Sequence, residues 1–321
     1  MATIGQDIDY AGRLLAQGEV VAIPTETVYG LAANALDANA VAKIFAVKNR
    51  PYFDPLIVHV ASWEEAKRYV KDLPPQAEQL ANRFWPGPLT LLLPKKNIVP
   101  DLVTSGLDRV GIRCPAHPLT LKLLNTVSFP LAAPSANPFG YVSPTTAQHV
   151  QDQLGDKIPY ILDGGQCTVG IESTILGWEG QQPVIYRLGG VNQEGLEDIL
   201  GSVQVQTHSS SNPQAPGQLI SHYAPNKKFL FGELNELVAR NPFGKAGILA
   251  FQRKISGVDP SRQLLLSPSG DLNEAARNLF SMLRRLDAME IDGVLAEAVP
   301  ETGLGRAIND RLRRAASKGQ G

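Results

Sequence analysis

Short apolar runs, each bounded by proline, glycine or a hydroxyl-rich loop, recur along this chain and confine it to folds built around sheets. Val20-Val21-Ala22-Ile23 stops at Pro24, Leu56–Val60 follows Pro55, and Leu89–Leu93 follows Pro86-Gly87-Pro88. The last of these is apolar at every position but Thr90, as expected of a strand buried on both faces. Further strands are expected at Val110–Arg113, Leu131–Ala133, Tyr160–Leu162, Ser173–Leu176 and Val184–Tyr186. Between them, Asn39–Val47 and Gln76–Phe84 carry helical periodicity. The alternation predicts an α/β or α+β domain around one twisted sheet, ending near residue 200.

Residues 201–226 differ in texture. Thr207–Gly217 is small, polar and interrupted by proline and glycine, the composition of a linker. Gln218–Pro225 then carries apolar and aromatic side chains, which a spacer does not need and a docking segment does. From Lys227 onward strands at Phe229–Phe231, Gly247–Phe251 and Gly293–Ala296 alternate with helices at Asn273–Met289 and Ala307–Ala316, predicting a second, smaller β/α domain. A length of 321 residues suits two domains.

Several chemistries are absent from the sequence. No phosphate loop of the G-x-x-x-x-G-K-[ST] type occurs, no G-x-G-x-x-G follows a strand, and no G-x-S-x-G elbow is present. The 5 histidines do not fall at zinc spacing, and 2 cysteines make no disulfide framework. A reducing, intracellular compartment is therefore expected, with no signal peptide and no membrane span. A formal net charge of −1 argues against a globally basic nucleic-acid surface.

The distribution of cations is more telling than their number. Lys48 and Arg50 sit just past a helix in a loop fixed by Pro51 and Pro55; they can converge on phosphates or simply favour the helix dipole. Arg109, Gly111 and Arg113 share one strand face, either an anion site or a solvated edge. Arg187 closes a later strand. Pro24-Thr25-Glu26-Thr27-Val28-Tyr29-Gly30 offers hydroxyls and one carboxylate at a strand end, suited to a small polar ligand or to a cap at a strand-to-helix turn. His59, inside an apolar strand, reads first as a satisfied core group. Pro134-Ser135-Ala136-Asn137 and Ser143-Pro144-Thr145 are small, hydroxyl-bearing turns that let a ligand approach the backbone. Together these residues suit a polyanion in a cleft of an otherwise neutral domain.

The motifs P-T-E-T-V-Y-G-L at 24–31, K-N-R-P at 48–51, P-L-I-V-H-V at 55–60, F-W-P-G-P-L-T at 84–90, P-S-A-N at 134–137, S-P-T at 143–145 and S-T-I at 173–175 resemble, in order, the YrdC-type threonylcarbamoyl-AMP synthases. The linker with S-H-Y-A-P at 221–225 and the following domain resemble the longer form of that enzyme. The resemblance implies a YrdC-like catalytic domain over 8–200, made of a twisted mixed sheet with flanking helices. A linker or lid would follow over 201–226, and a small Rossmann-like α/β domain over 227–321. It implies a nucleotidyltransferase that joins L-threonine, bicarbonate or CO2, and ATP with Mg2+, releasing pyrophosphate. The product would serve threonylcarbamoylation of adenosine 37 in ANN-decoding tRNAs through a downstream transferase. By the same resemblance Thr27, His59, Arg113 and Ser173 would hold threonine. Lys48, Arg50, Asp54, Arg109, Ala133, Ser135, Asn137, Ser143, Arg187 and Tyr223 would hold ATP, with Lys48 and Arg50 catalytic and Tyr223 on a lid. No protein side chain is expected to hold a metal, and a cytoplasmic monomer or weak dimer is expected. Asp54 stands where relatives often carry Asn, so a cation is needed between its carboxylate and any phosphate. Two rival readings are a module that binds tRNA without turnover and the carbamoyl chemistry of hydrogenase-maturation proteins. The basic helix with Arg306, Arg311, Arg313 and Arg314 is expected to be a solvated face.

Overall fold

The computed structural model describes residues 1–207, 213–219, 223–240 and 242–317. Of the linker expectation, residues 208–212 and 220–222, including Ser221 and His222, lie outside the described residues. The chain forms two compact units. The first comprises 1–139, 144–168 and 172–219; the second comprises 140–143, 169–171 and 220–321.

The first unit is built on an 11-stranded sheet. Its strands are β1 (Thr3–Gly5), β2 (Val21–Ile23), β3 (Gly30–Asn34), β4 (Ile57–His59), β5 (Leu89–Pro94), β6 (Arg109–Arg113), β7 (Leu131–Ala132), β8 (Tyr160–Leu162), β9 (Thr174–Glu179), β10 (Gln182–Arg187) and β11 (Gln204–Val205). They lie in the order β1-β8-β2-β3-β7-β4-β6-β5-β9-β10-β11. Pairing is mixed: β4 runs parallel to β6, while β5 and β6, β3 and β7, and β9 and β10 are antiparallel. The expected runs all appear as strands. Their mostly apolar character follows from burial on both faces, since Leu89, Leu91, Leu92, Leu93, Val110 and Ile112 are all buried.

One expectation fails locally. Pro24–Tyr29 is not a strand-to-helix turn; it joins β2 to β3, which pair antiparallel through Val21–Ala32 and Ile23–Gly30. Thr25 stabilises this connection rather than capping a helix. Its hydroxyl accepts from the amides of Thr27 and Val28 and donates to the Val28 carbonyl.

The second unit carries a four-stranded parallel sheet of β12 (Lys228–Gly232), β13 (Ala246–Ala250), β14 (Gln263–Leu265) and β15 (Gly293–Glu297), in the order β12-β15-β13-β14. The helix Leu272–Ala288 buries Ala275, Ala276, Leu279, Phe280, Leu283 and Leu286, an i, i+3/i+4 apolar stripe. Its N-cap Asp271 accepts from the Asn273 amide.

The terminal helix Gly305–Ser317 overturns the reading of a solvated basic face. Arg311 is 0% and Arg314 2% exposed. Asp310 makes this possible by holding Arg311 Nη1 at 2.9 Å and Arg314 Nε at 3.0 Å. Only Arg313 of these three arginines lies at the surface, paired with Glu301.

Candidate active site

Parallel pairing of β4 with β6 sets Ile57 opposite Gly111 and His59 opposite Arg113. These four residues therefore project from one face of the sheet. Ile57 packs there with Leu92, Ile175, Val184, Tyr186 and Ala215, so the described linker stretch 213–219 lies against that face.

Arg113 is the centre of the first cluster and is 3% exposed. Its Nε donates to the Gly87 carbonyl at 3.2 Å and Nη1 to Thr27 Oγ1 at 3.0 Å. Its Nη2 lies 2.6 Å from Glu26 Oε1. His59 is also buried; burial, with the Arg113 charge adding to it, lowers its pKa to about 3. Its imidazole is therefore neutral near pH 7, and its Nδ1 has no hydrogen-bond partner among the described residues. A buried polar atom of this kind is rare unless a ligand or water satisfies it.

Ser173 pairs with Thr90 and Arg187. Its hydroxyl lies 2.7 Å from Thr90 Oγ1 and accepts from Arg187 Nη2 at 3.0 Å, while its carbonyl accepts from Arg187 Nε at 3.0 Å. Glycine at 189 permits this approach, because a Cβ there would lie 2.3 Å from the Glu172 carbonyl oxygen.

The second cluster forms where the helix Ala38–Lys48 ends. Asn49 adopts φ 52°, its amide donates to the Ala46 carbonyl, and the Arg50 amide donates to Phe45. This Schellman turn places Lys48 and Arg50 on its two sides. The 1% exposed Lys48 ammonium donates to the carbonyls of Ser135 and Asn137, so the Pro134–Asn137 turn supplies its acceptors. Arg50 donates to the carbonyls of Asp54 and Pro55 at 3.0 and 2.8 Å and lies 2.9 Å from the Asp54 carboxylate. Arg50 is thus the cation paired with the Asp54 carboxylate. Burial holds the Lys48 ammonium well below the usual lysine range, with Arg50 acting in the same direction and Asp54 against it. Burial also raises the Asp54 carboxyl, opposed by Arg50, Lys48 and Arg187. Both groups are thus strained toward neutrality, and an incoming polyanion would restore the lysine charge.

Arg109 donates to the Trp178 carbonyl, the Tyr186 hydroxyl and Gln214 Oε1, with its guanidinium 5.2 Å from the Tyr186 ring centroid. Arg187 Nη1 donates to the Pro216 carbonyl at 3.4 Å. Residues 214–216 thus engage two arginines expected at the nucleotide. Ala133 is 7% exposed and its amide donates to the Ile57 carbonyl, while Ser135 bridges to Gly30.

Within the first unit the structure therefore brings Thr27 and His59 to Arg113, groups Lys48, Arg50, Asp54, Ser135 and Asn137, and pairs Ser173 with Arg187, whose charge acts on Asp54. Ser143 and Tyr223 fall in the second unit. Ser143 is buried and its carbonyl accepts from Arg284. Tyr223, at φ 62°, stacks on Phe280 with ring centroids 5.6 Å apart and has Arg311 5.0 Å from its ring centroid. Sequence reasoning assigned no role to Glu26 or Thr90. Glu26 is visible as the lone carboxylate of the hydroxyl-rich motif at 24–31, and Thr90 only as the last residue of the motif at 84–90. Cys167 is buried and its thiol is pushed up by burial, which disfavours the thiolate a nucleophile needs.

Residues 13–189 match the Sua5/YciO/YrdC family model, described as telomere recombination, and 191–317 match the model of the threonylcarbamoyl-AMP synthase C-terminal domain. The chain is 42% identical to the threonylcarbamoyl-AMP synthase of Pyrococcus abyssi, over 96% of this chain and 93% of that one. It is 38% identical to the Bacillus subtilis threonylcarbamoyl-AMP synthase, over 98% and 94%. The crystal structure of P. abyssi Sua5 complexed with L-threonine superposes with a TM-score of 0.91 at 39% identity, covering 99% of this chain and 98% of the other.

Proposed function

The chain belongs to the threonylcarbamoyl-AMP synthase family, and we propose that it makes L-threonylcarbamoyl-AMP and pyrophosphate from L-threonine, bicarbonate or CO2, and ATP. The observation that carries this reading is the presence in the first unit of two buried clusters, one centred on Arg113 and the other on Lys48 and Arg50, with Arg187, bonded to Ser173, acting electrostatically on Asp54 of the second. The first suits the carboxylate and hydroxyl of an amino acid and the second suits a triphosphate.

In this reading Arg113, Thr27, neutral His59 and Ser173 seat threonine. Its amine combines with CO2 to give N-carboxythreonine, and the new carboxylate attacks the α-phosphorus of ATP as pyrophosphate leaves. Two anions must meet for that step. Lys48 and Arg50, held rigidly by backbone carbonyls, offset the charge that builds on the phosphates, with Arg187 beside them. Ala133, Ser135 and Asn137 line the ATP side with Arg109. Among the described residues no group of three or more His, Cys, Asp or Glu side chains could hold a metal ion. Mg2+ would therefore come with the phosphates rather than sit in a side-chain cage. The product would pass to a transferase acting on adenosine 37 of ANN-decoding tRNAs. No helix among the described residues is long and apolar enough to cross a membrane, and a cytoplasmic monomer or weak dimer fits this role.

The test is pyrophosphate release from ATP with and without L-threonine and bicarbonate, with the product identified by mass. Release that needs both, with a threonylcarbamoyl-AMP mass, is expected. Salt-sensitive tRNA binding without release would replace this reading with that of a binding module.

A further inference from the structure

Glu26 is 6% exposed and sits at the bottom of the threonine-side cluster. Its Oε1 is 2.6 Å from Arg113 Nη2, yet the approach is not aligned as a hydrogen bond. Among the described residues Arg113 Nη2, Glu26 Oε1 and Glu26 Oε2 all lack a hydrogen-bond partner. The other two nitrogens of Arg113 are occupied by Gly87 and Thr27. A buried cationic donor and a buried anionic acceptor thus stand side by side with capacity to spare, an arrangement that costs free energy unless something fills it.

The chemistry of that occupant is narrow. A plain carboxylate or phosphate would satisfy Nη2 but be repelled by Glu26. A simple amine would meet Glu26 but be repelled by Arg113. A zwitterion with both charges a few atoms apart satisfies both. We propose that Glu26 is a specificity-determining residue whose carboxylate receives the ammonium group of the amino-acid substrate while Arg113 receives its carboxylate. Glu26 thereby selects α-amino acids over hydroxy acids of the same shape. This rests on the reading that the cluster seats threonine.

The pairing also explains why the site needs an acid in a loop of hydroxyls. The Thr25 and Thr27 hydroxyls, 2.8 Å apart, fix the loop, and Thr27 holds Arg113. Glu26 between them supplies the only charge of the loop.

The experiment measures calorimetric binding of L-threonine and of 2,3-dihydroxybutanoate, in which a hydroxyl replaces the ammonium, to the full chain and to Glu26→Gln. The wild type is expected to favour threonine by about tenfold or more, because a buried charged group left unpaired rejects the analogue. Glu26→Gln, nearly the same in shape, is expected to bind the two compounds within about threefold of each other. A purely structural counter-charge would instead weaken both compounds equally in the variant, and retention of the threonine preference there overturns the proposal. Should Glu26→Gln fail to fold, the wild-type arm still decides: equal affinity for the two compounds overturns it. Absence of any threonine binding by the wild type would count against the functional reading itself, a different failure from a preference unchanged by the substitution.

Discussion

Both units bury arginines, and they do so in opposite ways. In the second unit Arg311 and Arg314 close on Asp310, which accepts from both. Neither those nitrogens nor Asp310 is left over. In the first unit Arg113 faces Glu26 without an aligned hydrogen bond, and His59, Asp54 and Glu26 keep buried polar atoms unpartnered among the described residues. Burial alone does not separate structure from function, since all these groups are almost fully enclosed. What separates them is whether the protein completes its own hydrogen bonding. The closed set satisfies itself; the incomplete set keeps hydrogen-bonding capacity that a ligand could use.

The strongest way to break this comparison is Arg113→Met. It leaves Glu26 as an uncompensated buried charge, which costs about 3–5 kcal/mol of stability. It also removes the proposed carboxylate anchor, so threonine-dependent pyrophosphate release is expected to fall by about a hundredfold or more. Adding Glu26→Leu to that variant is expected to recover most of the stability, read by denaturant melts, but none of the activity. Recovery of activity with stability would mean the pair is merely structural.

Asp310→Asn probes the other side. It strips the shared counter-charge from Arg311 and Arg314 and is expected to cost about 3 kcal/mol. Pyrophosphate release per folded molecule is expected to stay within about twofold, measured well below the melting temperature. A large loss of turnover in the folded protein would show that the closed set is not a purely structural one.

A third effect comes from His59. Its folded pKa of about 3 lies below the ordinary imidazole value of 6.5. The unfolded chain therefore binds this proton first, so His59 contributes stability that is complete above about pH 6.5 and is lost as pH falls toward about 3. The slope is at most about 1.4 kcal/mol per pH unit. The difference between wild-type and His59→Asn melts should shrink over that window. A constant difference would mean that His59 is not buried neutral.

These contrasts also mark what the sequence could reveal. Strands such as Leu89–Leu93 were legible because burial on both faces leaves a run apolar at all but one position. Gly30–Asn34 was not, since Gly, Ala and Asn are poor strand formers and only pairing between β2 and β7 makes it one. The cations of the site were visible as residues at element ends. Their division into two clusters was not, because it depends on contacts such as Arg113 to Thr27, 86 residues apart. Arg311 and Arg314 misled for a related reason. A basic helix reads as solvated unless one knows that Asp310 turns inward with them.

The smallest expected effect is the sharpest test of how the phosphate-side cluster is poised. Asp54→Asn keeps the side-chain volume and leaves Arg50 its two backbone acceptors at residues 54 and 55. Stability should change by no more than about 1 kcal/mol, because burial already disfavours the charged carboxylate and Arg50 only partly offsets it. Yet the substitution removes a carboxylate that interacts with Lys48, Arg50 and Arg187 together. An incoming triphosphate would no longer compete with a carboxylate for those cations. The KM for ATP is therefore expected to fall about threefold, with the KM for threonine unchanged. A rise in the ATP KM instead would mean that the carboxylate itself helps to hold the nucleotide, and the phosphate-side cluster would then be, like the threonine-side one, a site that uses both signs of charge.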